Sequence, residues 1–196
     1  MPSTFENCAI YLIGFPGTGK FTVAQEMMAR ADHTFKLVDN HFINNVIFSL
    51  IETDGKTKLS PFVWGNVEIV RDVVLSTIQN LSPPPMNFLL TNNLADNAGD
   101  TDLYQRIESI FAARKALFVP VILTCEIAEH EKRMAHESRA LRHKETNPEA
   151  AARYHKEGMV RFEHPHKFEI DVTTMPPAQT ADLILERLHS LMAQQT

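Results

Sequence analysis

The sequence has few of the features that mark secreted, membrane-spanning or nucleic-acid-binding proteins. It contains two cysteines, Cys8 and Cys125, too few for a disulfide framework or a cysteine-based zinc site. No apolar run approaches the roughly 20 residues of a membrane span, and the N-terminus lacks a signal-peptide pattern. The 19 basic and 24 acidic residues give a net charge of −5, which argues against a general nucleic-acid-binding surface. We therefore expect a cytoplasmic protein with reduced cysteines and neither a membrane nor a nucleic-acid partner.

The length and the hydrophobic content of the chain suit one folded domain. The chain has 196 residues, of which 44% are hydrophobic, enough to bury a single core. It contains no internal repeat and no low-complexity segment. We therefore treat residues 1–196 as one domain, either a monomer or a homodimer.

The most informative stretch follows an apolar run near the N-terminus and reads Gly-Phe-Pro-Gly-Thr-Gly-Lys. It fits the pattern G-x-x-x-x-G-K and precedes a helix-like segment. We expect Gly14, Gly17 and Gly19 to adopt backbone angles that a side chain would forbid, so that successive N–H groups turn onto one anion. Lys20 adds a positive charge, and the following helix adds the positive end of its dipole. The stretch therefore predicts a polyphosphate-binding loop.

The residue after this lysine is Phe21, where the common motif has a Mg²⁺-binding Ser or Thr, and Thr22 follows. The loop resembles the G-x-P-G-x-G-K-x-T loop of adenylate kinases and related small-molecule kinases. The resemblance implies that ATP is bound by Gly14, Pro16, Gly17, Thr18, Gly19, Lys20, Phe21 and Thr22, with Mg²⁺ held near Thr22, largely through water. Two alternatives are a glycine-rich turn that binds nothing and, because of Phe21, a nucleotide binder without catalysis.

Apolar strand-like segments alternate with amphipathic helical segments along the chain. The predicted strands are 9–13, 35–38, 86–91, 116–124 and 168–172. This alternation predicts an α/β protein with a parallel sheet covered on both faces. The resemblance to P-loop kinases covers the order of elements over nearly the whole chain. It implies the three-layer P-loop NTPase fold, with a five-stranded sheet in the order 2-3-1-4-5.

Residues 40–82 read as a helical insert between the second and third strands. Ser60 and Pro61 are typical of an N-cap and a first helical residue. The resemblance implies that this insert binds the phosphate acceptor. It also implies that Asp39, at the end of the second strand, helps to bind the acceptor and a water-held Mg²⁺. The alternative is that Asp39 only caps the helix that follows.

The segment 126–158 is rich in charged residues, and the resemblance implies that 133–158 forms a lid. Arg133, Arg139 and Arg142 lie where lid arginines of small-molecule kinases close over the nucleotide. A planar guanidinium suits phosphate oxygens. The alternative is a solvated helix with ion pairs four residues apart, such as Glu129 with Arg133.

The acceptor is the least specified part of the prediction. By helical spacing, Arg71, the only arginine between Asp32 and Asp100, lies on the outer face of its helix. The resemblance implies that a monophosphate acceptor would be bound by arginines from this region, so this position argues against an ordinary monophosphate acceptor. Asparagines and a histidine near strand ends instead suit a hydroxyl-rich molecule, although asparagines are often turn formers: Asn40, His41, Asn44, Asn45, Asn92 and Asn93. The sequence predicts an ATP-dependent phosphotransferase in which Lys20, Asp39, Arg139 and Arg142 act in catalysis. The alternative is an ATPase or switch module that acts through a protein partner.

Overall fold

The computed structural model describes residues 5–52, 57–136 and 147–194. The strands are β1 (Cys8–Ile13), β2 (Phe35–Asp39), β3 (Asn87–Asn92), β4 (Leu117–Thr124) and β5 (Phe168–Asp171). The helices are α1 (Lys20–Arg30), α2 (Asn40–Phe48), α3 (Pro61–Asn80), α4 (Ala98–Ala113), α5 (Ile127–Met134), α6 (Ala150–Glu157) and α7 (Pro177–Ala193).

The five strands form one parallel sheet in the order β2-β3-β1-β4-β5. This confirms the predicted fold class and strand order. Ile13, the last residue of β1, lies opposite Asn92 of β3 and Ile122 of β4. The carboxyl ends of the central strands therefore meet at one edge, where ligands bind in open parallel sheets.

The sheet has an apolar core on each face. Helices α1 and α7 pack on one face around β1 residues such as Ile10 and Leu12. Helices α3 and α4 cover the other face, where Tyr11 and Ile13 of β1 lie. Side chains alternate between the faces of a strand, and β1 is buried along its whole length. Together these layers make the predicted three-layer architecture.

Helix α3 confirms the predicted insert helix but presents a different face to the core. Ser60 caps it by accepting a hydrogen bond from the Val63 N–H at 3.4 Å, and Pro61 is its first residue. Helical spacing in the sequence predicts an apolar stripe on this helix: Phe62, Val67, Val70, Val74, Ile78 and Leu81. The stripe is wrong in part, since the side chains of Phe62 and Leu81 are 79% and 78% exposed. The buried residues are Val67, Arg71, Leu75 and Ile78. Apolar residues occur on most sides of α3, so their spacing did not identify the buried face.

Both cysteines are buried and free, as predicted for reduced core thiols. Burial raises the pKa of the Cys8 thiol to about 12, which keeps it protonated and unreactive. Among the described residues, no helix is both long enough and apolar enough to cross a bilayer.

Candidate active site

The glycine-rich loop connects β1 to α1. Gly17 and Gly19 have φ angles of 102° and 88°, so both adopt the predicted left-handed backbone. Gly14 does not adopt the predicted left-handed backbone, because its φ is not positive. A Cβ at Gly14 would instead lie 2.7 Å from the Thr18 Oγ1 and 2.8 Å from the Leu123 carbonyl. Glycine is needed there because the loop packs directly against the end of β4.

Polar groups within the loop hold it in shape. The Lys20 Nζ donates to the carbonyl oxygens of Gly14 and Phe15, at 2.6 and 2.8 Å. Thr18 is 1% exposed, and its hydroxyl donates to the Phe15 carbonyl at 3.0 Å. The Thr18 side chain therefore braces the loop, while the Lys20 ammonium lies against the loop at the start of α1.

A cavity of about 380 Å³ runs along the loop. All of the predicted nucleotide-binding and catalytic residues that the structure describes, except Gly14, line it: Pro16, Gly17, Thr18, Gly19, Lys20, Phe21, Thr22, Asp39 and Arg133. Of the predicted acceptor residues, His41 lines the cavity, whereas Asn40, Asn44, Asn45, Asn92 and Asn93 are not part of its lining. One end is formed by His41 and Thr91, beside Asp39. The other end is formed by residues after β5 and at the start of α7: Val172, Met175, Pro177 and Thr180. The cavity thus joins the loop to the ends of both outer strands.

Asp39 is both a helix cap and part of the cavity wall. Its side chain is the N-cap of α2, since Oδ1 accepts from the His41 N–H at 3.1 Å. The same oxygen accepts from the Thr91 hydroxyl at 2.8 Å, and Asp39 is only 3% exposed. Asp39 therefore caps α2, as the alternative interpretation predicts, and its carboxylate still lines the cavity. Sequence reasoning missed the role of Thr91, because only the pairing of β2 with β3 brings it to Asp39.

Arg133 links α5 to the segment after β5 through hydrogen bonds. Its Nε donates to the Glu129 carboxylate at 2.8 Å, which is the ion pair four residues apart that the alternative anticipated. Its Nη2 donates to the carbonyls of Val172 and Thr173, at 2.8 and 3.1 Å. The hydrogen bond from Arg133 holds the pKa of the Glu129 carboxyl below its usual range. The other predicted lid arginines, Arg139 and Arg142, lie outside the described residues.

His130, which sequence reasoning missed, connects the loop to α5 and α6. It is fully buried, and its Nε2 lies 2.6 Å from the Pro16 carbonyl oxygen. A carbonyl only accepts hydrogen bonds, so Nε2 carries the proton. The Nδ1 lies 3.2 Å from the Nε2 of His155 in α6, and the His130 ring stacks on Phe15. A histidine within a charged segment gave no signal of this contact, which depends on the fold.

The oxygen groups near the loop suit Mg²⁺ held mainly by water and phosphate. Thr22 is exposed and lines the cavity, and the buried Asp39 lines it as well. Phe21 packs edge-on against Phe42 of α2, with ring centroids 6.2 Å apart. Within the described ranges, no cluster of three or more His, Cys, Asp or Glu could hold a metal ion. A few protein oxygens completed by water and phosphate are the usual environment of Mg²⁺.

Buried polar side chains also occur outside the cavity lining, in β3, α2 and α3. Asn44, inside α2, is 4% exposed and Asn92, in β3, is 8% exposed. For these two residues the turn-former alternative is therefore wrong. The predicted outward orientation of Arg71 is also wrong, since Arg71 is 8% exposed. Its buried position removes the argument made from it against an anionic acceptor.

Comparisons with known proteins identify the fold. No family model matches the chain, and no curated protein matches its sequence. A gluconokinase from Sinorhizobium meliloti has a TM-score of 0.60 and 10% identity, over 97% of this chain and 98% of that chain. An APS kinase from Mycobacterium tuberculosis, in complex with AMPPNP and APS, has a TM-score of 0.60 and 12% identity, over 94% and 98%. A shikimate kinase from Acinetobacter baumannii, in complex with shikimate, has a TM-score of 0.57 and 17% identity, over 97% and 98%.

These similarities confirm the resemblance at the level of the fold. The chain has the fold of the P-loop small-molecule kinases over nearly its full length. At sequence identities of 10–17%, these similarities do not identify the reaction of this chain, because one fold supports many reactions.

Proposed function

We propose that this protein is an ATP-dependent phosphotransferase that moves the γ-phosphate of ATP to a small-molecule acceptor. The observation that carries the proposal is the single cavity that joins the glycine-rich loop to the Asp39 carboxylate. Phosphoryl transfer requires bound phosphates, neutralised charge and an acceptor held in line, and it needs little covalent chemistry from the protein. The similar structures support it, since they include kinases of gluconate, APS and shikimate.

In this proposal the loop N–H groups and Lys20 bind the ATP phosphates, and Thr22 lies beside them. The adenine lies near Val172 and Met175, at the far end of the cavity. Bound Mg²⁺ would neutralise phosphate charge, with Thr22 and Asp39 positioned to hold its waters. The assignment of 133–158 as a lid, with Arg139 and Arg142 acting in catalysis, stays a prediction, since these two arginines lie outside the described residues.

Asp39 orients the acceptor hydroxyl and accepts its proton. A positioned general base contributes about 10²- to 10⁴-fold to a rate. The side chain is held by Thr91 and by the N-terminus of α2, which fixes its carboxylate at the cavity wall. This arrangement gives Asp39 a role in transfer in addition to its role as a cap.

The test is ATP consumption with Mg²⁺ across nucleosides, monophosphates, sugars, polyols and aminoglycosides, with ADP and transferred phosphate both measured. Asp39→Asn is the decisive variant, because asparagine is also a good N-cap and keeps the helix start intact. We expect acceptor-dependent transfer that falls about 100-fold or more in Asp39→Asn, with the melting temperature little changed. Acceptor-independent hydrolysis alone would contradict the proposal.

The acceptor is proposed to be rich in hydroxyl groups, because amide groups lie near the sheet edge. Replacing Asn92 and Asn93 by Ala should raise the KM for the acceptor about 10-fold or more while leaving the KM for ATP unchanged. Equal changes in both KM values would contradict this assignment.

A nucleotide-driven switch that acts through a protein partner is the second candidate. The contact of His130 with the Pro16 carbonyl favours it, since it couples the loop to α5 and α6. His130→Phe removes this hydrogen bond. If the protein is a switch, the His130→Phe variant should still bind ATP, but ATP should no longer protect α6 from proteolysis. If the protein is a kinase, the main effect of the variant should be a higher KM for ATP.

A further inference from the structure

We propose that the outward face of α3 is the contact surface of a symmetric homodimer, in which α3 packs antiparallel against α3 of a second copy of this chain. The surface is a row of residues that we call the α3 stripe: Phe62, Gly65, Ile69, Val73 and Ser76. Dimerisation through this surface is independent of phosphoryl transfer, so it stands or falls separately from the proposed function.

The first observation is that the large apolar side chains of the α3 stripe are exposed. Phe62 is 79% exposed, and Ile69 and Val73 are each 63% exposed. They are spaced seven and four residues apart, so they lie on one side of the helix. Single exposed apolar residues are ordinary on a protein surface, but a row of them along one helix indicates a contact surface.

The polar groups on and beside the α3 stripe already have partners within the chain. Asp72 forms an ion pair with Arg106 of α4. At the C-terminal end of the stripe, the Ser76 hydroxyl accepts a hydrogen bond from the Asn80 side chain at 3.1 Å. Covering the stripe therefore leaves no charge without a partner, and the surface that covers it should itself be largely apolar.

Gly65 is the second observation, because nothing within the chain explains a glycine at this place. A glycine inside a helix is less favourable than an alanine. The φ angle of Gly65 is not positive, and a Cβ there would meet nothing within 4 Å among the described residues. Neither backbone conformation nor crowding therefore requires it. The space beside Gly65 is available for a side chain of a second molecule.

The order of large and small residues identifies that molecule as another copy of the chain. If a two-fold axis relates two antiparallel α3 helices at Ile69, residues equally far before and after Ile69 face each other across the contact. Phe62 then faces Ser76, and Gly65 faces Val73. Each large side chain meets a small one, while the two Ile69 side chains meet at the axis. A parallel pair would instead place Phe62 on Phe62 and leave a gap between the two glycines.

The residues that flank the α3 stripe fit the same symmetry. Asn66 and Asp72 lie three places before and after Ile69, so the axis brings the amide of one protomer to the carboxylate of the other. An amide N–H donates to a carboxylate oxygen. A single pair of 20-residue helices makes a small interface, and we expect a dissociation constant on the order of 10 to 100 µM.

The test is sedimentation velocity of the full chain at concentrations from about 1 to about 300 µM, which bracket this dissociation constant. We expect the wild type to change from monomer to dimer over this range. Ile69→Lys should stay monomeric, because it places two like charges at the axis. Leu183→Lys is the matched control, since Leu183 is 42% exposed on α7, and it should dimerise like the wild type.

Three outcomes of this experiment would overturn the proposal. A wild type that remains monomeric at every concentration would leave the α3 stripe to a different occupant. A dimer that persists in Ile69→Lys would use another surface. An equal loss of dimer in Leu183→Lys would show that the added charge acts unspecifically.

A mixing experiment locates the axis and controls for misfolded variants. Ile69→Glu should also be monomeric alone, but an equimolar mixture with Ile69→Lys should form a heterodimer, because opposite charges then meet at the axis. Only folded variants can pair in this way. If both variants have the circular dichroism of the wild type and still fail to associate when mixed, the axis does not pass at Ile69 and the proposal is wrong.

An exchange of side-chain size tests the antiparallel register. Gly65→Val fills the space that Val73 of the second copy occupies, and should weaken dimerisation about 10-fold or more. Adding Val73→Ala to Gly65→Val restores a large residue facing a small one, and should recover most of the loss. If the double variant dimerises no better than Gly65→Val alone, Gly65 and Val73 do not face each other and the proposed dimer is contradicted.

Discussion

Two regions at the sheet edge, the glycine-rich loop and the segments formed by α2, α3 and the end of β3, differ in how their buried polar atoms are satisfied. In the glycine-rich loop, protein groups already bond one another: Lys20 with the loop carbonyls, Thr18 with Phe15, and His130 with Pro16. In α2, in α3 and just after β3, buried side-chain atoms have no hydrogen-bond partner among the described residues: those of Asn40, Asn44, Asn45, Arg71 and Asn93. The chain itself therefore shapes the glycine-rich loop in advance, whereas the second region keeps buried polar atoms without partners among the described residues.

The largest expected effect is the removal of the loop cation. Lys20→Ala should lower kcat/KM for ATP by at least about 100-fold, because a fixed positive charge near the transferred phosphate supplies that order of stabilisation. Lys36→Ala, at an exposed position in β2, is the control and should leave the rate unchanged. Steady-state kinetics provide the measurement. Equal rates for wild type and Lys20→Ala would mean that the loop is not the phosphate site.

The second prediction tests whether the loop is shaped in advance. Gly17→Ala places a side chain at φ 102° with its Cβ about 3.1 Å from His130 and Met134, and should cost about 1–3 kcal/mol of folding free energy. Gly65→Ala is the matched control, because its Cβ meets nothing within 4 Å in α3, and it should stabilise by about 0.5–1 kcal/mol. Urea denaturation measures both. Equal effects would show that the loop geometry does not matter to stability.

The third prediction compares the glycine-rich loop directly with the region formed by α2, α3 and the end of β3. Thr18→Val removes a satisfied hydroxyl and should destabilise by about 1 kcal/mol, whereas Asn44→Leu removes an unsatisfied buried amide oxygen and should be neutral or stabilising by about 1 kcal/mol. Asn44→Leu should nevertheless weaken acceptor binding. Chemical denaturation and the acceptor KM are the measurements. Strong destabilisation by Asn44→Leu would show that its amide is already satisfied.

The smallest expected effect is a dependence on acidic pH. Hydrogen bonds from Arg133 and Thr173 lower the pKa values of Glu129 and Asp171 in the folded state. A lowered folded-state pKa stabilises above the unfolded-state pKa, and this contribution is lost as pH falls below about 4. When the pH is lowered from about 5 to about 3, the urea midpoint of unfolding should fall less in the Glu129→Gln, Asp171→Asn double variant than in the wild type. An unchanged slope would contradict these assignments.

Local patterns predicted the fold and the loop, because strand alternation, Ser60-Pro61 and the glycine spacing each depend on neighbouring residues. Arg71 and His130 escaped prediction because their contacts join segments far apart in the chain. Arg71 is buried by the packing of α3 on the sheet, and His130 contacts Pro16. Asp39 was identified, but its bond to Thr91 follows only from the pairing of β2 with β3. These contacts come from tertiary packing, which is why the sequence alone did not reveal them.

The most direct test of the central claim is transfer of label from [γ-³²P]ATP, with Mg²⁺, into a cell metabolite extract that is separated by chromatography and identified by mass spectrometry. The account predicts at least one labelled small molecule besides inorganic phosphate, formed by wild type and strongly reduced in both Asp39→Asn and Lys20→Ala. Label that appears only in inorganic phosphate, at a rate that the extract does not change, would contradict a small-molecule kinase.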